Sequence, residues 1–144
     1  MEWIVRHLSL GESVSRFMKK KKVLVVENGI PTAMMMVSLL TQAGFDVEAT
    51  AKGRKGLEIA REQKFDLIIL EARLPDISGL EICAEIKQRH ISYRTPVIFL
   101  SAPSGDECRE QALELGAADF IEQPFDARDF ISRVLSHLEE GTPA

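Results

Sequence analysis

Cysteine is scarce: Cys83 and Cys108 are the only two in 144 residues. Neither sits in a CxxC pair or at metal-ligand spacing from a histidine, which argues against a disulfide framework or a zinc site; both read as small buried hydrophobes in helical segments. A basic excess is also missing. Lys plus Arg is 18 against 22 Asp plus Glu, a formal net charge of −4, and the pI of about 5.4 argues against a nucleic-acid partner, which would be met by a surplus of cations. Long apolar runs are absent as well. The stretch Trp3-Ile4-Val5 is broken by Arg6 and His7, so neither a secretory signal nor a membrane span is expected, and the chain reads as cytoplasmic with no membrane partner. The length suits one domain and leaves no room for a separate DNA-binding unit. No glycine-rich phosphate loop follows the first apolar run: Glu27-Asn28-Gly29-Ile30-Pro31 is neither a dinucleotide nor a P-loop fingerprint.

What is present is an alternation of short apolar runs with helical patterns over residues 22–139. Val23–Val26, Leu67–Leu70 and Val97–Leu100 are almost wholly apolar, as strands covered on both faces of a parallel sheet must be. Phe45–Thr50 alternates apolar and polar residues, which suits an edge strand with one wet face. A weaker fifth strand is Ala118–Glu122. Helices are expected from Pro31 to Ala43, with Pro31 in the first turn, and from Gly53 to Gln63. Third and fourth helices should start at the capping-box spacings Ser78…Glu81 and Ser104…Glu107, the fourth ending at Gly116. A fifth starts at Asp126 and buries Ile131, Val134, Leu135 and Leu138. The pattern predicts an α/β fold, a doubly wound five-stranded parallel sheet with five helices.

Ligand crevices in such sheets lie at the carboxyl ends of the strands. The first polar residues there are Glu27 and Asn28 after strand one, Glu71 after strand three, Ser101 after strand four and Gln123 before Pro124 after strand five. Over residues 21–139 the blocks KKVLVVEN, FDLIILEARLPDISGLEIC, TPVIFLSA and ALELGAADFIEQPF resemble, in order and spacing, the receiver domain of two-component response regulators. The resemblance implies the flavodoxin-like strand order 2-1-3-4-5 and a domain at 21–139, flanked by an N-terminal extension (1–20) and a short tail (140–144). It also implies a pocket in which two acids after strand one help hold Mg²⁺. An Asp ending strand three accepts the phosphoryl group, a Ser or Thr ending strand four contacts it, and a Lys before a Pro pairs with it. An aromatic in strand five changes rotamer with the Ser or Thr. By position these are Glu27, Asn28, Glu71, Ser101, Gln123 and Phe120. Only Glu27, Ser101 and Phe120 keep the family's chemistry.

Each departure has a physical cost. Glu71 carries its carboxylate about 1.5 Å, one C–C bond, further out than Asp; misplacement on that scale can cost about a hundredfold in transfer. Neutral Gln123 removes the cation that offsets charge on a moving phosphoryl group, where electrostatic stabilisation is the main term. Asn28 removes one carboxylate, so Mg²⁺ held by Glu27, Glu71 and the backbone carbonyl of Arg73 should be weak or absent, and no other cofactor is expected. One anion and one cation are lost together, which predicts a neutralised pocket with Asn28 and Gln123 hydrogen-bonding Glu71. Glu71 itself reads in three ways: a fixed mimic of phospho-aspartate reaching toward Ser101, a slow acceptor, or a drifted residue. Phe120 is either a space-filling strand aromatic or a retained switch, and Ser101 is a core hydroxyl if the pocket is silent. Asp76 reads as a turn former more readily than as an acceptor, and the resemblance makes Gln123–Pro124 a plausible cis bond.

Trp3, His7, Leu10, Val14 and Phe17 recur at alternating four- and three-residue steps, a helical stripe. The competing reading is that translation starts at Met18. Lys19–Lys22 is a solvated strand entry, and His7, His90 and His137 mark no site. No enzyme activity is expected. The expected function is phosphorylation-independent binding to a histidine kinase, a phosphotransfer protein or another receiver, with homodimerisation as a further route; the alternative is a working receiver phosphorylated on Glu71.

Overall fold

The apolar runs become the inner strands of a sheet. The structure, a computed structural model, describes residues 20–89, 93–102 and 106–140. Its elements are β1 (Lys22–Val26), α1 (Ile30–Gln42), β2 (Asp46–Thr50), α2 (Gly53–Glu62), β3 (Leu67–Glu71), α3 (Gly79–Arg89), β4 (Val97–Ser101), α4 (Asp106–Glu114), β5 (Asp119–Glu122) and α5 (Ala127–Glu140). The five strands lie in the order β2-β1-β3-β4-β5, all parallel. The strand with alternating polarity, β2, is indeed at an edge, where the wet face costs nothing.

Side chains of a strand alternate between faces, and the core divides accordingly. Leu24, Val26, Ile68, Leu70 and Phe99 meet Leu57 of α2, Ile82, Cys83 and Ile86 of α3 and Ala112 of α4 on one face. Val23, Val25, Leu67, Ile69, Ile98 and Leu100 meet Met36 and Leu40 of α1 and Phe130 and Val134 of α5 on the other. Cys83 is buried, Cys108 packs against the first cluster, and both are free thiols. Among the described residues no helix is long and apolar enough to cross a membrane.

The caps follow in part. Ser78 accepts from the Leu80 amide at 3.0 Å, while exposed Glu81 does not complete the reciprocal half. Gly116 ends α4 with φ +96° and Gly44 follows α1 with φ +101°, a conformation that a side chain would strain. Ser104 and the apolar stripe of residues 3–17 lie outside the described residues. One expectation is corrected. In α5 the inward positions are Phe130, Val134 and Leu138; Ile131 is only partly covered and Leu135 is 42% exposed. Phe130, missing from the expected stripe, is fully buried and stacks on Phe125 at 5.1 Å; with Phe130, Val134 and Leu138 inward, Leu135 falls on the outer side.

Candidate functional site

Parallel pairing brings the strand ends to one rim. Val26 is in register with Leu70, Glu71 with Leu100, and Ser101 with Glu122. Glu27, one residue beyond β1, is held there by its own amide, which donates to the Thr50 carbonyl at 3.1 Å. Its side chain is only 3% exposed. Oε2 accepts from the Gly29 amide at 3.0 Å, whereas Oε1 is buried and receives no donor among the described residues. Burial, then the charge of Glu71 and the hydrogen bond to it, push the Glu27 carboxyl up to about 7 against the opposing pull of the Gly29 amide. Two ionised carboxylates cannot hydrogen-bond each other. Burial beside a second carboxylate thus favours the neutral form of Glu27, which alone could donate to Glu71.

Glu71, half-buried at the end of β3, accepts from the Asn28 backbone amide at 2.9 Å. The network expected around Glu71 therefore forms only in part, and by different atoms. The Asn28 side-chain amide reaches the Ala51 carbonyl at 3.5 Å instead. Gln123 contributes a backbone bond, its N–H donating to the Ser101 carbonyl at 2.8 Å, and its side-chain amide makes no hydrogen bond to Glu71. Strand β5 ends just before Gln123, and the cis Gln123–Pro124 peptide follows. The Glu71 carboxylate is thus turned toward the β1 side of the rim. Ser101, 3% exposed, donates from Oγ to the Ala102 carbonyl at 2.9 Å.

Phe120 is 1% exposed, so its ring lies inward. It stacks on Phe99 with centroids 6.2 Å apart, and the Arg109 guanidinium of α4 lies 5.3 Å from its centroid, within cation–π range. Sequence reading missed that contact. It also missed the role of Asp76, whose carboxylate leaves its own loop to cap α2, accepting from the Gly53 amide at 3.0 Å and the Arg54 amide at 2.9 Å. The Arg54 bond, foremost, holds its carboxyl below the usual value. A partner 23 residues distant leaves no local signal. His137, assigned no role from sequence, meets Asp119 at 2.9 Å beside Arg133 at 2.8 Å.

For a hard cation the rim offers the Glu27 and Glu71 carboxylates, with Arg73 exposed in the loop just beyond. Among the described residues no group of three or more His, Cys, Asp or Glu side chains converges as a metal site. By donor chemistry the pair fits Mg²⁺, which binds through one or two carboxylates.

The receiver domain of response regulators is the family model that matches, over residues 23–135. The transcriptional regulatory protein CreB of Escherichia coli K12 is 39% identical over 121 residues, 84% of this chain and 52% of CreB, so the chain spans about half the length of that relative. A receiver domain protein from Methanospirillum hungatei JF-1 shares the fold with a TM-score of 0.80 at 23% identity, covering 85% of this chain and 96% of that one. The receiver domain of the sensor histidine kinase PA1611 from Pseudomonas aeruginosa PAO1, solved with magnesium in its active-site cleft, matches at TM-score 0.75 and 27% identity over 83% and 97% of the two chains.

Proposed function

The chain belongs to the response regulator receiver family, a family of two-component signalling, and from that premise we propose that it acts by protein–protein binding without being phosphorylated. The observation that carries this reading is the geometry of the rim: Glu27 is buried and Glu71 is held by the Asn28 amide on the β1 side, with the neutral Gln123 where the family has a lysine. Phosphoryl transfer to a carboxylate needs that carboxylate ionised, in line and flanked by positive charge. Here Glu71 accepts from the Asn28 amide and lies beside the Glu27 carboxyl, and among the described residues no side-chain cation is hydrogen-bonded to it. If Mg²⁺ binds, the Glu27 and Glu71 carboxylates and the Arg73 carbonyl hold it, and it would supply charge neutralisation at the rim; the loss of an acid at Asn28 weakens it. Binding is supported by the apolar outer face of α1, where Ile30 and Met34 are 65% and 66% exposed. A helix of a histidine kinase or phosphotransfer protein, or another receiver, suits such a surface.

The reading is tested by restoring the family's pocket. Glu71→Asp alone, incubated with acetyl phosphate and Mg²⁺, is expected to gain no phosphoryl mass, because Gln123 remains neutral. Glu71→Asp with Asn28→Asp and Gln123→Lys is expected to gain one. Efficient labelling of the single variant would show that the missing lysine is not what silences the pocket. A second reading, Glu71 as a slow acceptor, is favoured by its half-exposed place at the end of β3.

A further inference from the structure

The second helix layer leaves an apolar groove uncovered. Between the C-terminal end of α1 and the outer side of α5, Leu39, Ala43, Ile131 and Leu135 line an open groove of about 610 Å³, with Arg128 at its edge. Leu135 is 42% exposed and Ile131 and Leu39 are only partly covered, an arrangement that leaves three large aliphatic side chains short of a partner among the described residues.

The chain itself supplies a candidate beside this groove. The described structure begins at Lys20, and the Lys21 carbonyl accepts from the Asp46 amide at 2.9 Å. Asp46 is three residues beyond Ala43, which is at most roughly 11 Å of extended chain. Lys20, where the described residues begin, thus lies next to the groove's lower end. The residues before it carry Trp3, His7, Leu10, Val14 and Phe17, the alternating four- and three-residue spacing of a stripe that seats between two neighbouring helices. As a helix, that stripe would run about 21 Å, the length of the 14-residue α5. Gly11 and the serines at 9, 13 and 15 make it a weak helix alone, so its helicity would depend on a surface to cover.

We propose that residues 3–17 dock as a helix into the groove between α1 and α5 of the same molecule, their apolar stripe covering Leu39, Ile131 and Leu135. This inference stands apart from the phosphorylation reading, since it uses no residue of the rim.

Trp3 is the only tryptophan in the chain, so its fluorescence reports the docking directly. In the full-length protein the expected emission is blue-shifted and poorly quenched by acrylamide, unchanged on dilution. Leu135→Glu, at an exposed position, and Phe17→Glu, before the family-matched residues 23–135, should each shift the emission to the red and raise quenching to that of free tryptophan, with far-UV signal of the domain retained. A solvent-exposed Trp3 in the unaltered protein overturns the proposal. So does shielding that survives both substitutions, which places Trp3 elsewhere, or shielding that fades on dilution, which places the segment on a second copy.

Discussion

Burying Glu27 against Glu71 has a signature in pH. The folded-state carboxyl titrates at about 7, against 4.5 when unperturbed. Its contribution to stability is therefore complete below the unperturbed value and is lost as pH rises through about 7. Unfolding by urea should show stability falling between pH 5 and 8 by on the order of 2 kcal/mol, and Glu27→Gln should flatten that slope while keeping the buried hydrogen bond. A slope that persists in Glu27→Gln would place the titration elsewhere. The lowered carboxyls do not interfere: Asp76 and Asp119 lie below the ordinary 3.8, so what they add is lost only as pH falls through still more acid values. Of these rim residues, Glu27, Glu71 and Ser101 were legible from the sequence because each directly follows or ends an apolar run. Their bonding was not, because the choice between the Asn28 amide side chain and the Asn28 backbone N–H depends on a turn geometry that the residue types leave open.

Elements are joined by few, specific contacts. The start of α3 seats directly on the end of β3: the Gly79 amide donates to the Ala72 carbonyl at 3.0 Å, and a Cβ at Gly79 would collide with the Glu71 carbonyl. Gly79→Ala should cost about 2–3 kcal/mol through overpacking, read as a lower urea midpoint at unchanged slope. At the other edge Asp119 ties β5 to α5 through Arg133 and His137. Burial works to raise the Asp119 carboxyl, but the His137 bond, the Phe120 amide and the Arg133 charge outweigh it and hold it low. Arg133→Met should cost about 2 kcal/mol, the scale of hydrogen bonds to a charged group, measured the same way. Asp76→Ala should leave the Gly53 and Arg54 amides less protected in hydrogen exchange, since both donate to that carboxylate. Strands and helices were readable from runs and periods. The miss in α5 came from leaving Phe130 out of the stripe: Phe130, Val134 and Leu138, at four-residue steps, are the buried positions, and Leu135 lies beside them on the outer side.

For the molecule as a whole, the rim follows from parallel pairing, the strand order was implied by the resemblance to receivers, and the family match covers residues 23–135. On the function proposed above, three positions, Asn28, Glu71 and Gln123, set this chain apart from a phosphorylatable receiver. The most direct measurement is the intact mass of the unaltered protein after incubation with acetyl phosphate and Mg²⁺, with Glu71→Gln alongside. No added phosphoryl group is expected on either. A phosphoryl adduct on the unaltered protein that disappears in Glu71→Gln would contradict it and make Glu71 a true acceptor.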